Sequence, residues 1–189
     1  MRKALYILGE LSDADVEWMI DHGRRERRAA GTVLIREGGA IDALYILLEG
    51  QLAVSVEARP GAELTRMGAG EIVGEVSLVD LRPPSATVRV VEDALLLSIP
   101  RQVLGAKLES DPGFAARFYR AVAVSLAYRL RDMVARAGGD TARPLGEEGG
   151  ADVGTMGEDE LDIAVMDKVY LAGQRFERIL KRLTTGRLD

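Results

Sequence analysis

Hydrophobic positions recur at helical spacing near the start of the chain. Ser12 is suited to cap a helix, with Asp15 three residues later, and a short apolar stripe follows: Val16, Met19 and Ile20. We therefore predict one helix over residues 12–28. Its basic end, Arg24–Arg28, fits a solvated helix terminus, where the negative end of the helix dipole favours cations. Contact with nucleic acid is the alternative for this run.

From residue 31 to residue 100 the pattern changes to short β-rich segments separated by glycines. This spacing is typical of a small antiparallel barrel or jelly roll. We predict a turn at Pro60-Gly61 and strands over residues 32–35, 44–48, 51–56, 87–91 and 94–99.

Two helices are predicted after the strands. Pro100 to Leu108 reads as a short one, and Asp111-Pro112 begins a longer one, because Asp suits the cap and Pro the first turn. The long helix carries an apolar stripe that ends before Gly138-Gly139: Phe114, Phe118, Val122, Leu126, Leu130, Met133 and Ala137. Such a stripe packs on the core of its own domain or pairs with another subunit, and the sequence leaves both open.

The composition of residues 138–157 is rich in glycine and poor in large apolar side chains, which is typical of a flexible linker. Residues 158–183 again have helical period, with a short seam of Val165, Val169, Ala172, Phe176, Ile179 and Leu183. We therefore divide the chain into a domain at 1–137, a linker at 138–157 and a C-terminal amphipathic helix at 158–189.

Composition excludes several classes of site. The chain has 189 residues, no cysteine and one histidine, so it has no disulfide, no thiolate metal site and no histidine cluster. Its net charge of -5 argues against a nucleic-acid partner, which requires a basic face. The apolar runs are far shorter than the ~20 residues that cross a bilayer, and the N-terminus is too acidic for a signal peptide. We expect no membrane partner and a cytoplasmic location.

The candidate chemistry lies in residues 74–88, GEVSLVDLRPPSATV. This segment resembles the phosphate-binding cassette of cyclic nucleotide-binding domains, the family of catabolite activator-type regulators and protein kinase A regulatory subunits. Residues 31–38 and 42–50 are similar to the strand motifs of that family, with Gly50 at a tight turn. The resemblance covers about residues 12–137. It implies the α+β class: an antiparallel β jelly-roll barrel flanked by an N-terminal helix and C-terminal helices.

The resemblance also implies a role for each cassette residue. Glu75 would accept hydrogen bonds from the ribose hydroxyl of cyclic AMP or cyclic GMP, and the amides and hydroxyl of Ser85-Ala86-Thr87 would hold the phosphate. The candidate ligand-binding residues are Gly74, Glu75, Val76, Ser77, Arg82, Ser85, Ala86 and Thr87. The family arginine that neutralises the cyclic phosphate is replaced by Pro84. Arg82, two residues upstream, is the one nearby surrogate.

The loss at residue 84 has a predictable size. Removing one partner of a buried charge pair costs about 3–5 kcal/mol. At roughly 1.4 kcal/mol for each factor of ten, affinity for a cyclic nucleotide falls by about 10²–10³.

The sequence therefore favours a non-enzymatic regulatory or adaptor module whose pocket is weak or degenerate for cyclic mononucleotides. We expect a homodimer through residues 112–137, because the family uses this helix to cover the nucleotide or to pair subunits. A protein partner is expected through residues 158–183. Nothing pairs isolated carboxylates such as Asp80 and Glu92 with a nucleophile or base, so we predict no catalytic site.

Two other functions stay open. The first is a true second-messenger sensor, whose ligand differs from the usual cyclic mononucleotides or is one of them. The second is a DNA-binding regulator that uses Arg24–Arg28 and four C-terminal cations: Arg175, Arg178, Lys181 and Arg182. The acidic net charge counts against it, as does the lack of a recognisable helix-turn-helix segment after the long helix.

Overall fold

Six helices and six strands make up the part of the chain that the computed structural model describes, residues 6–59, 62–138 and 158–185. The helices are α1 (Tyr6–Glu10), α2 (Asp13–His22), α3 (Glu75–Asp80), α4 (Arg101–Ser110), α5 (Pro112–Gly138) and α6 (Glu158–Thr185). The strands are β1 (Arg24–Arg28), β2 (Val33–Ile35), β3 (Ala43–Ser55), β4 (Glu63–Met67), β5 (Ile72–Val73) and β6 (Thr87–Pro100).

The strands form one antiparallel sheet built on β3 and β6. These two strands pair with each other, β1 and β2 pair with the other edge of β6, and β4 and β5 pair with the other edge of β3. In the described residues no ladder joins the two outer edges, so the sheet is open. It rolls over a core to which both edges contribute, through Ile35 of β2, Met67 of β4 and Leu96 of β6. The predicted α+β class with an antiparallel sheet and flanking helices is confirmed.

The prediction of two strands around a tight turn at Gly50 is wrong, because β3 runs continuously through this residue. The register between β3 and β6 shifts on both sides of Gly50, so the chain bulges there and does not reverse. Gly50 has φ +91°, and a Cβ added to it would lie 2.4 Å from the carbonyl oxygen of Asp93. The glycine therefore allows the bulge to press against β6. The two segments predicted at 87–91 and 94–99 are likewise one strand, β6.

The predicted helix over residues 12–28 is right only in its first half. Its start is confirmed, since the Ser12 hydroxyl accepts from the Asp15 amide at 3.2 Å and the Asp15 carboxylate accepts from the Ser12 amide at 2.7 Å. The helix ends at His22, and the Gly23 amide closes it by donating to the Met19 carbonyl at 2.9 Å. The basic run that follows is strand β1, paired with β6 over its whole length. Long-range pairing overrides the local preference here, and Gly23 was the signal for the break.

A second core lies between the sheet and the helices. It joins residues of α1, α2, β3, β6, α4, α5 and α6, with the aromatic rings of Phe114 and Phe118 at its centre. Of the predicted seam of α6, Ala172 and Ile179 are fully buried in this core. The C-terminal helix therefore packs on the same domain as the sheet.

The apolar stripe of α5 serves two purposes along its length. Phe114, Phe118 and Val122 are buried in the core, whereas Leu130 and Met133 are 62% and 60% exposed. The core-facing interpretation thus holds for the first half of the helix. The predicted turn at Pro60-Gly61 lies outside the described residues, as does the predicted linker apart from Gly138, so the division of the chain into domains stays a prediction.

Candidate functional site

The cassette helix α3 begins directly after β5, at Gly74, a position where any residue with a side chain would be strained. Gly74 caps the helix with φ +94°, and an added Cβ would lie 2.7 Å from Ile41 Cδ1 and 3.0 Å from the Ala43 carbonyl oxygen. The next residue, Glu75, is the first of the helix, and it is buried, at 1% exposed.

The carboxylate of Glu75 already has a partner. Arg129 of α5 donates from Nη1 to Oε1 of Glu75 and from Nη2 to the carbonyl oxygen of Ile72. Its side chain is 29% exposed, so the guanidinium lies at the border between the cassette and solvent. The group that the resemblance assigns to a ribose hydroxyl is therefore held by a cation of the long helix.

The segment expected to hold a phosphate is tied to the turn between β2 and β3. Pro84 is buried, and its carbonyl accepts from the Gly38 amide at 2.8 Å. The Thr87 hydroxyl accepts from the Glu37 amide at 3.1 Å. Ser85 is exposed and Ala86 half-buried, and within the described part of the chain no hydrogen bond occupies the amide of either residue. Two free backbone donors thus remain where the resemblance places the phosphate, and residue 84 is a proline in place of the arginine that the resemblance implies.

The other predicted site residues that the structure describes, Arg82, Ser77 and Val76, make different contacts. Arg82 is exposed, and its one described hydrogen bond is from its amide to Asp80 Oδ1 at 3.0 Å. Ser77 is buried and accepts from Arg101 Nη2 at 2.9 Å through its carbonyl, so it anchors α3 to α4. Val76 is 38% exposed on the outer side of α3. Among the described contacts, none joins Arg82 to Glu75 or to residues 85–87.

Sequence reasoning missed Arg129, although the pattern contained a signal for it. The residue follows Phe118, Val122 and Leu126 by eleven, seven and three positions, which places it on the buried face of α5. A cation on an apolar helix face requires a buried acceptor. The only conspicuous acidic residue of the cassette start, Glu75, was the available partner.

The described residues contain no group of three or more side chains placed to hold a metal ion. None of the described helices combines the length and hydropathy that crossing a bilayer demands.

Comparison with known proteins supports the family that the cassette resembles. Residues 25–111 match the family model described as the cyclic nucleotide-binding domain. Among curated relatives, "Lysophospholipase nte1" of Aspergillus fumigatus is 33% identical over 110 residues, 57% of this chain and 7% of the relative. The enzyme of the same name from Aspergillus niger is 31% identical over 125 residues, 65% of this chain and again 7% of the relative. The chain thus spans less than a tenth of the length of these relatives.

Solved structures show the same fold. A cyclic nucleotide-binding domain from Methylobacillus flagellatus has a TM-score of 0.65 at 22% identity, covering 76% of this chain and 85% of its own. The catabolite activator protein of Thermus thermophilus has a TM-score of 0.58 at 20% identity, covering 97% and 90%. At these identities the likeness concerns the fold alone.

Proposed function

Since residues 25–111 belong to the cyclic nucleotide-binding domain family, we propose that the protein is a non-enzymatic regulatory module whose pocket is degenerate for cyclic mononucleotides. One observation carries this proposal: the buried carboxylate of Glu75 is paired with Arg129, and no cation stands at residue 84. The buried carboxylate is therefore already balanced by a cation of the chain itself.

Charge explains why such a pocket disfavours a cyclic phosphate. Glu75 and Arg129 together carry no net charge, so an entering phosphodiester leaves one uncompensated negative charge in a partly buried site. A ribose hydroxyl would also have to compete with a guanidinium for the same carboxylate oxygen. The amides of Ser85 and Ala86 offer the phosphate only partial compensation.

Restoring the cation tests the proposal directly. Isothermal titration with cyclic AMP and cyclic GMP should show weak or no binding by the wild type, and binding tighter by roughly 10²–10³ in Pro84→Arg, the span expected for one buried charge partner. The exposed neighbour gives a matched control, because Pro83→Arg adds the same charge outside the pocket and should leave affinity unchanged.

One result would contradict the degenerate pocket, and a variant would then explain it. Low-micromolar binding by the wild type would show that the pocket is complete without residue 84. Loss of that binding in Arg82→Ala would then identify Arg82 as the surrogate cation.

A true second-messenger sensor is the second candidate, and the free amides of Ser85 and Ala86 favour it. A thermal-shift screen across nucleotides separates the two candidates. A ligand present at 100 times its Kd adds about 2.7 kcal/mol to stability, whereas a degenerate pocket gives no shift with any nucleotide.

We further propose that two copies associate through the second half of α5. Leu130, Met133 and Val134 are each at least 60% exposed on this helix, and a contiguous apolar face of this kind is typical of an association surface. Sedimentation equilibrium should show a dimer that Met133→Glu weakens, and a monomer at all concentrations would contradict it. The proposal also places the module in the cytoplasm, which fractionation of cells producing a tagged chain would check.

A further inference from the structure

Strand β1 lies at an edge of the sheet, and its outer side has no partner in the described part of the chain. Among the described strands, β6 alone pairs with it, along its whole length. Beyond that ladder, no described backbone hydrogen bond involves Arg24–Arg28. A strand in this position presents a row of unpaired backbone N–H and C=O groups, which a second extended chain can use.

The edge is strongly basic. Four of the five residues of β1 are arginines, and the fifth, Glu26, accepts from Arg28 Nη2 at 2.5 Å. Arg24, Arg25 and Arg27 form no ion pair with any described residue. Arg24 and Arg27 are exposed and Arg25 is half-buried. Three uncompensated positive charges thus lie beside the unpaired backbone groups.

These charges lie on both faces of the sheet. Arg25 and Arg27 pair with two leucines of the core between the sheet and the helices. Arg28 lies opposite Ala94, which belongs to the other core. Paired residues of an antiparallel sheet project to the same face, and successive residues alternate between faces. Arg24 and Arg28 therefore share one face, and Arg25 and Arg27 share the opposite one.

The two-faced arrangement fits an added strand better than a polyanionic surface. The side chains of an extended peptide also alternate between the faces of the sheet it joins, so its carboxylates reach both sets of arginines. A nucleic-acid duplex or a bilayer contacts one face and leaves the cations of the other unpaired. The net charge of -5 also repels a large polyanion, whereas a short acidic segment responds to charges within about 8 Å.

The same charges keep β1 from pairing with its own copy. Charged side chains on an edge strand commonly prevent two edges from joining. Two copies of β1 side by side would set arginine against arginine, and like charges directly opposite each other destabilise strand pairing. The edge therefore rejects a second copy of itself and favours a strand of opposite charge.

We propose that β1 is a docking edge for an acidic extended segment of a partner protein, which joins the sheet as an added strand beside Arg24–Arg28. Backbone hydrogen bonds hold the segment along the edge, and its glutamate or aspartate side chains pair with arginines on both faces. Docking at this edge does not require a nucleotide in the cassette.

Fluorescence anisotropy with a labelled acidic peptide tests the docking edge. The probe is built of glutamate pairs separated by threonine, so that it carries carboxylates on both faces when extended. The full-length protein should bind it saturably. Arg25→Gln together with Arg27→Gln should weaken binding by about 2–30-fold, the span for two exposed ion pairs. The matched control is Arg59→Gln, which removes an exposed arginine from the turn between β3 and β4 and should leave the affinity unchanged.

A second peptide separates strand addition from charge alone and uses the unaltered protein. The same sequence, methylated at every backbone nitrogen, keeps its carboxylates but has no N–H donor, and it should not bind. Equal binding of the methylated peptide would overturn the added strand, as would no binding of the first peptide. Binding of duplex DNA or of phosphatidylserine vesicles that exceeds peptide binding, and that the two arginine substitutions abolish, would overturn it in favour of a polyanionic partner.

Discussion

The cassette and the acidic face of α1 and α2 (Glu10, Asp13, Glu17 and Asp21) both set an arginine of a long helix against a carboxylate of another element, but they differ in burial. The cations on the acidic face come from a basic row of α6: Lys168, Arg175, Arg178 and Arg182. Glu75 is 1% exposed beneath Arg129, whereas Asp21 is 55% exposed beside Arg182. A buried carboxylate without a partner carries a large desolvation penalty, while water replaces the partner of an exposed one. The same two chemical groups therefore fix local geometry in the cassette and form only a weak, solvated contact between Asp21 and Arg182.

The largest effect is expected from removing the buried cation. Arg129→Met leaves Glu75 buried and unpaired, so the free energy of unfolding should fall by about 3 kcal/mol, the lower end of the range for such a loss. Urea unfolding measures it. Glu75→Gln should cost less, because the Arg129 side chain already reaches solvent. An equal loss in both variants would show that burial does not control the pair.

Asp15 provides an intermediate case with a pH signature. Burial by itself would raise the pKa of Asp15, but hydrogen bonds from Arg117 and Ser12 outweigh this effect. They lower the pKa to about 2, against an ordinary 3.8. The unfolded chain binds the proton more readily, so this carboxylate stabilises the fold above pH 4 and its contribution disappears as the pH falls from 4 to 2. The contribution is about 2 kcal/mol. Urea unfolding between pH 2 and pH 6 should show this slope in the wild type, and Asp15→Asn should reduce it.

Arg175 should rank next, because it is the best-buried member of the basic row, at 12% exposed. Arg175→Gln removes donors to Asp13 and to the end of α1, and we expect a loss of about 1–2 kcal/mol. Amide hydrogen exchange should show faster exchange in α6. Unchanged exchange in this variant would contradict the role given to Arg175.

The smallest effects belong to the exposed end of the row. Arg178→Ala and Arg182→Ala should each lower the free energy of unfolding by about 0.5 kcal/mol or less at low salt. At 1 M salt, where the screening length is about 3 Å, the difference from the wild type should vanish. A salt-independent loss would mean that these side chains act through apolar packing and not through charge.

The sequence predicted the fold well where one local signal was enough. The Ser12–Asp15 capping box and the Asp111-Pro112 start of α5 depend on neighbouring residues, and the structure has both. Strand β1 was missed because its identity depends on pairing with β6, some seventy residues later. Gly50 was assigned to a turn because a glycine does not tell a turn from a bulge.

The candidate site shows the same limit. The cassette motif placed Glu75 correctly at the start of a helix, since that relation is local. The contact that defines its state, with Arg129, joins residues 54 positions apart and depends on how α5 packs beside the cassette. The one sign of this contact in the sequence was Arg129, a polar residue on the apolar stripe of α5, and a stripe alone does not identify the partner.

The core shared by the sheet and the helices has a consequence for how the domain is delimited. Phe114 and Phe118 of α5 and Leu8 of α1 lie outside the family match at residues 25–111, yet they fill the same core as Leu97 of β6. A chain trimmed to the matched residues would expose the helix-facing side of its sheet to water and should aggregate. The segment that matches the family model is therefore smaller than the segment that builds the core.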